Sequence, residues 1–109
     1  MANDKRYFIL ANYTQKAIAG MVQAPTDRAA AVKKICKAVG AKFVSLDLCR
    51  GVFDIVAVVE ADSFDKVLGL KMAVAASGAV GEFHILEPMD ATAALKHAGA
   101  AAKVYKPAG

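Results

Sequence analysis

The chain has 109 residues, a net charge of +4 and no tryptophan, and hydrophobic residues make up 57% of it. This length is typical of one domain with a modest core. The charge is too small for a dedicated nucleic-acid binder. Soluble domains are roughly 45–50% apolar, so the excess, much of it alanine, favours a buried subunit interface.

Targeting and redox signals are sparse in the sequence. The segment MANDKRYFIL lacks a signal-peptide pattern, and no apolar stretch approaches the ~20 residues of a membrane span. Cys36 and Cys49 form no closely spaced pair and suit a reducing compartment. We therefore expect a cytoplasmic homo-oligomer that binds neither nucleic acid nor membrane.

The first part of the chain predicts a strand, a connection and a helix. Tyr7–Tyr13 is an apolar, aromatic run typical of a strand, and Gln15–Ala24 is interpreted as a short helical turn or loop. Thr26 or Asp27 can cap a helix that ends at Gly40. Its apolar stripe has helical spacing: Val32, Ile35, Cys36 and Val39.

The middle of the chain predicts two strands joined by a tight connection at Arg50-Gly51. Lys42–Cys49 alternates, and Phe53–Glu60 is an almost continuous apolar run expected of a central strand. Strict alternation in the first of these strands places four side chains on one face and three on the other: Phe43, Ser45, Asp47 and Cys49, against Val44, Leu46 and Leu48.

The last part predicts a helix, a strand and a tail. Asp62 or Ser63 caps the second helix, which Gly78 ends, and Val80–Leu86 forms the fourth strand. The order β-α-β-β-α-β predicts an α+β ferredoxin-like domain with an antiparallel four-stranded sheet. We assign residues 1–88 to this domain and residues 89–109 to an Ala-rich helical extension.

The second face of the predicted sheet is also apolar. Helices cover only one face of such a sheet, yet the first strand carries Phe8 and Leu10 opposite Tyr7 and Ile9. A large apolar patch that faces water is usually an interface. Face-to-face pairing of two copies of the sheet in a C2 dimer would cover it.

Several segments carry a family resemblance. The sequences YFILANYT, IAG, PTDR, RGVFDIVAVVEAD and SGAV occur in order between Tyr7 and Pro88. In this order and spacing they resemble the GYD-domain family, small proteins that are similar to dimeric α+β barrels. Phe53 stands where the eponymous Gly-Tyr-Asp motif has tyrosine.

The resemblance implies an oligomeric domain with a ligand pocket between sheet and helices. We assign four candidate ligand-binding residues to it: Tyr13, Arg28, Asp54 and His84. The substrate, and whether the protein is an enzyme at all, stay open at this point. No phosphate-binding glycine motif or catalytic-serine motif occurs in the sequence.

Two alternatives from other functional classes remain. One is a cofactor-free or haem-dependent monooxygenase or isomerase of the dimeric barrel class, with His84 as base or axial ligand and Asp54 or Tyr13 orienting the substrate. The other is a transition-metal site that uses His84 with Glu82, Cys49 or Asp47. Because the fold orders its strands 4-1-3-2, the last two residues lie at the opposite sheet edge, and a joint site requires a partner subunit.

Overall fold

A computed structural model describes residues 3–109, which form one four-stranded antiparallel sheet and four helices. In chain order the elements are β1 (Lys5–Tyr13), α1 (Gln15–Gln23), α2 (Arg28–Val39), β2 (Lys42–Leu48), β3 (Ile55–Ala61), α3 (Phe64–Ala76), β4 (Val80–Leu86) and α4 (Ala91–Ala102). The strands lie in the order β2-β3-β1-β4, which is the predicted arrangement. The ferredoxin-like α+β fold expected from the sequence is therefore confirmed.

The helix ends follow local side-chain chemistry. Asp27 caps α2 by accepting a hydrogen bond from the Ala30 N–H, and Ser63 caps α3 in the same way through the Lys66 N–H. Gly40 ends α2 in the left-handed conformation, with a φ of 77°. These three residues are among those that the sequence marked as helix boundaries.

Helix α1, of nine residues, is longer than the short helical turn or loop expected over this stretch. The Thr14 hydroxyl accepts from the Ala17 N–H at 3.2 Å and donates to the Gly78 carbonyl oxygen at 2.6 Å. The Thr14 N–H also donates to the Ala79 carbonyl oxygen at 3.0 Å. One residue thus caps α1 and ties it to the segment that precedes β4, a long-range contact that the local pattern does not encode.

The register of β2 differs from strict alternation. Phe43 pairs with Val59 and Ser45 with Val58, so an irregularity at the intervening residue shifts the register. Phe43 therefore shares a face with Leu46, which pairs with Ala57, instead of with Ser45. A bulge of this kind places two consecutive residues opposite one and reverses the side-chain parity beyond it.

The core lies between α2, α3 and one face of the sheet, called here the inner face. Its buried residues are Tyr7, Ile9, Ala11, Cys36, Ile55, Ala57, Val59, Ala61, Val67, Leu70 and Val80. In β3, buried and half-buried residues alternate along the whole strand. The opposite face, the outer face, is covered by none of the helices in residues 3–109.

Helix α4 stands apart from this core. It buries none of its residues, and within the described chain it packs substantially against no other element. The radius of gyration is 17.8 Å, whereas a compact domain of about 100 residues has about 13 Å. The excess reflects the projecting α4. None of the helices in residues 3–109 has the length and apolarity required to cross a membrane.

Candidate functional site

An apolar pocket of about 250 Å³, partly open to solvent, lies between the inner face and the helices above it. Strands β1 and β3 form its floor, and α2 and α3 form its walls. Its lining is aliphatic or aromatic apart from three side chains with polar atoms: Tyr13, Arg28 and Ser77. A cavity of ~150 Å³ already accommodates benzene, so this pocket has room for a small organic molecule.

Tyr13 and Arg28 form the polar end of the pocket. Tyr13 is the last residue of β1 and Arg28 the first residue of α2, so the strand end and the helix start bring them together. A second pocket, of about 280 Å³, lies beneath α1 and shares both residues with the first. The two side chains therefore stand between the apolar pocket and the space under α1.

The electrostatics of this pair keep the phenol neutral. Burial raises the pKa of Tyr13 above its ordinary value of 10.0, and the charge of Asp54 adds to the rise. The nearby positive charge of Arg28 and its hydrogen bond to the hydroxyl act in the opposite direction without reversing the net effect. At neutral pH the site thus presents a phenolic O–H and a guanidinium, which are both donors.

The hydrogen-bond partners of Arg28 in the described part of the chain are neutral. One of its terminal nitrogens donates to the Thr26 hydroxyl at 2.8 Å, and its other partner is the Tyr13 hydroxyl. Between residues 3 and 109, no carboxylate lies within ion-pair distance of this guanidinium. A half-buried positive charge at the end of an apolar pocket thus has no carboxylate counter-ion within residues 3–109.

Asp54 supports the site from outside the pocket. Its carboxylate oxygen Oδ2 accepts a hydrogen bond from the Tyr13 N–H at 3.0 Å. Its own N–H donates to the Ala11 carbonyl oxygen and to Asn12 Oδ1, at 3.1 and 2.9 Å. Asp54 therefore fixes the backbone at the end of β1 and does not line the pocket.

His84 lies on the outer face. It pairs across the sheet with Leu10, its Nε2 is 3.0 Å from Glu82 Oε2, and its ring meets Phe53 edge-on at 5.5 Å between centroids. Glu82 also accepts a hydrogen bond from the Asn12 amide at 3.0 Å. These hydrogen bonds hold the pKa of Glu82 below its ordinary value, and that from His84 contributes most.

The four predicted ligand-binding residues therefore fall into three places. Tyr13 and Arg28 line the pocket, Asp54 braces the strand end, and His84 belongs to the opposite face of the sheet. The candidate metal ligands are also divided, with Glu82 and His84 on β4 and Asp47 and Cys49 at the β2 edge. The described residues hold no group of three or more His, Cys, Asp or Glu side chains suited to a metal ion.

A family model of the GYD domain matches residues 7–98. The chain belongs to the GYD-domain family. The matched segment includes the pocket, the outer face and most of α4. The pocket and the outer face therefore both lie in the part of the chain that matches the family. No protein with a curated description matches the chain.

The GYD domain of this chain is also similar to a solved structure, the crystal structure of MtbAldR. The identity is 10% and the TM-score 0.53, and the likeness covers 79% of this chain and 52% of that one. The chain thus spans about half the length of that protein. At this identity the likeness shows the shared fold alone.

Sequence reasoning missed part of the pocket of this GYD domain. Ser77 and Phe83 line it, and so does Leu46, which the β2 irregularity leaves on the inner face with Phe43. The alternation of β4, which places Phe83 and His84 on opposite faces, was the available signal that the histidine and the pocket lie apart.

Proposed function

We propose that this protein is a self-associating binding domain that holds a small, largely apolar molecule in the inner-face pocket. The observation that carries the proposal is the pocket itself, whose aliphatic lining ends at Tyr13 and Arg28. Apolar walls with a few polar groups that orient the ligand are typical of small-molecule sites. Its volume of about 250 Å³ suits a ligand smaller than a typical drug molecule.

The lining favours binding over acid–base catalysis. Among the described residues around the pocket, none is His, Cys, Asp or Glu. A general base has to lie within hydrogen-bond reach of the proton it removes, and His84 lies across the sheet. His84 therefore takes no part in the proposed binding of a ligand in the pocket.

The outer face supports the self-association part of the proposal. Phe8, Leu10, Val56 and Val58 lie side by side on β1 and β3 without a covering helix. Polar groups flank this strip. An ion pair between Arg6 and Glu60, at 3.0 Å, lies at one end, and the hydrogen bonds that join Asn12, Glu82 and His84 lie towards the other. An apolar centre with a polar rim is the anatomy of a protein interface, and an identical copy supplies a complementary apolar face in a C2 pair.

Ligand binding can be tested with 1-octanol as an apolar probe. Titration into ¹⁵N-labelled protein should shift the backbone amide signals of Ala57 and Val80, which line the pocket. The amide of Val52, which is 83% exposed in the β2–β3 connection, serves as the internal control. Absence of shifts in the pocket, or shifts confined to the outer face, would contradict the binding proposal.

Self-association can be tested by sedimentation velocity at micromolar concentration. We expect a dimer or a larger oligomer, and we expect Val58→Lys to dissociate it because the substitution places a charge in the centre of the apolar strip. Val52→Lys, at an exposed position away from the strip, is the matched control and should leave the oligomer intact. A monomeric wild-type protein would refute self-association.

A further inference from the structure

We propose that the ligand of the inner-face pocket is a monoanion, a small carboxylate with an apolar body whose carboxylate is bound by Arg28 and Tyr13. This inference rests on the proposed binding function and adds the chemical class of the ligand to it. The apolar body would lie against the floor of the pocket, and the anionic group would lie at its polar end.

The charge of the site calls for an anion. Arg28 contributes one positive charge beside the pocket, and its hydrogen-bond partners among residues 3–109 are the hydroxyl groups of Thr26 and Tyr13. The guanidinium is half-buried, and no carboxylate in residues 3–109 lies within ion-pair distance of it. A ligand carboxylate would supply the missing counter-ion.

The donor geometry favours a carboxylate. A guanidinium presents two parallel N–H groups that match the two oxygens of a carboxylate. The Tyr13 hydroxyl, which burial keeps protonated, can donate a further hydrogen bond to the same group. Arginine and phenol together therefore present donors to both carboxylate oxygens.

The local charge also limits the ligand to one negative charge. Arg28 is the one cationic side chain among the described residues that line either pocket. The Asp54 carboxylate accepts a hydrogen bond from the Tyr13 N–H at 3.0 Å, and its negative charge raises the pKa of Tyr13, so it disfavours further negative charge beside the phenol. A dianion such as a phosphate monoester would bring a second charge that these residues do not compensate.

The experiment compares three probes of equal chain length, octanoate, 1-octanol and octylamine, by titration calorimetry with NMR to locate the site. We expect octanoate to bind more tightly than 1-octanol and octylamine to bind most weakly. Arg28→Gln should weaken octanoate binding by about 10- to 100-fold, as expected for loss of a charge-assisted hydrogen bond, and should leave 1-octanol binding unchanged. Arg28→Lys should bind octanoate more tightly than Arg28→Gln but less tightly than the wild type, because lysine keeps the charge without the two parallel N–H donors of arginine.

Two further variants complete the test. Tyr13→Phe should weaken octanoate binding by about 2- to 10-fold, the effect of one neutral hydrogen bond. Arg50→Gln, which removes an exposed arginine from the β2–β3 connection, should change nothing. Unchanged 1-octanol binding in Arg28→Gln also shows that this variant is folded.

The outcomes separate the two proposals. If 1-octanol and octanoate bind in the pocket equally well and Arg28→Gln affects neither, the carboxylate inference is refuted while the binding function stands. If neither probe binds in the pocket, the proposed function is refuted, and the inference is refuted with it. Tighter binding of octylamine than of octanoate would overturn the charge argument directly.

Discussion

The carboxylate of Asp54 holds the backbone of Tyr13, with its Oδ2 atom 3.0 Å from the Tyr13 nitrogen, although 41 residues separate the two in sequence. The contact joins the start of β3 to the end of β1, where regular pairing between the strands has stopped at Ala11 and Ile55. The Asp54 side chain thus extends the contact between the two strands beyond their backbone pairing, and it fixes the position of Tyr13, whose side chain lines the pocket.

Removal of this carboxylate should loosen the strand end. We expect Asp54→Ala to lower the free energy of unfolding by about 1–2 kcal/mol, because a half-buried N–H loses a charged acceptor. Asp54→Asn, which keeps an acceptor oxygen, should lose less than about 1 kcal/mol. Urea denaturation followed by circular dichroism measures both values. Equal stability of the alanine variant and the wild type would show that water replaces the carboxylate at no cost.

Two valines provide a matched test of the core. Val67 is fully buried on α3, whereas Val52 is 83% exposed. We expect Val67→Ala to cost about 1.5–3 kcal/mol, since two buried methyl groups are removed and a cavity is left. Val52→Ala should change stability by less than about 0.5 kcal/mol. Similar losses at the two positions, measured by denaturant unfolding, would contradict the assignment of the core.

Two glycines should respond to alanine in opposite directions. Gly40 has a φ of 77°, and an added Cβ would lie 3.3 Å from Lys66 Nζ. Gly40→Ala should therefore destabilise the protein by about 1–2 kcal/mol. Gly69 lies within α3, and an added Cβ there meets nothing within 4 Å.

Because alanine is a better helix former than glycine, Gly69→Ala should stabilise the protein by about 0.5–1 kcal/mol. Thermal unfolding of both variants measures the two changes in stability. An increase in the melting temperature of Gly40→Ala would contradict the left-handed cap at the end of α2.

The sequence predicted the fold well because its signals are local. Apolar runs and alternation mark the strands, and Asp27, Ser63 and Gly40 mark helix ends through bonds made within a few residues. The β2 irregularity and α1 depend instead on long-range pairing, with β3 and with the segment before β4. No local pattern predicts such contacts.

The candidate site was predictable only in part, for a related reason. The pocket between sheet and helices that the family resemblance implied correctly included Tyr13 and Arg28, which end β1 and begin α2. His84 was grouped with them because of its chemistry, whereas the side-chain alternation of β4 places it on the outer face. The ligand-binding set predicted from residue type is thus broader than the set that lines the pocket.

The Glu82 carboxylate should contribute to stability in a pH-dependent way. Hydrogen bonds from His84 and Asn12 lower the pKa of Glu82 from its ordinary value of 4.5. A carboxyl group whose pKa is lower in the folded state adds stability above the unfolded value, and this stability is lost as the pH falls through the folded value. The contribution of Glu82 is therefore complete above pH 4.5 and fades below it.

The matched variant is Glu82→Gln, which keeps the shape of the side chain. It should be slightly less stable than the wild type at pH 6–7, and the difference should shrink as the pH is lowered below 4.5. Denaturation curves at a series of pH values measure the difference in free energy of unfolding between the two proteins. If this difference stays constant down to strongly acidic pH, the ionised carboxylate is not the source of the stability.

Removal of residues 89–109 tests whether the projecting helix belongs to the folded unit. Every residue of α4 is exposed, and Met89 and Leu95 are 78% and 69% exposed. Because α4 buries no surface against the sheet, the shortened chain should retain the free energy of unfolding of the whole protein to within about 0.5 kcal/mol. Its far-ultraviolet circular dichroism should lose only the signal of these twelve helical residues.

The full-length variant Leu95→Ser is the control for this truncation, because it removes the largest apolar side chain of α4 and leaves the rest in place. Both proteins should unfold like the wild type when compared at equal concentration. A loss of more than about 2 kcal/mol on truncation would instead show that α4 packs in the assembled state. Since α4 packs substantially against no other element within residues 3–109, we would then assign that surface to a second copy, and the loss should grow as the protein concentration is raised.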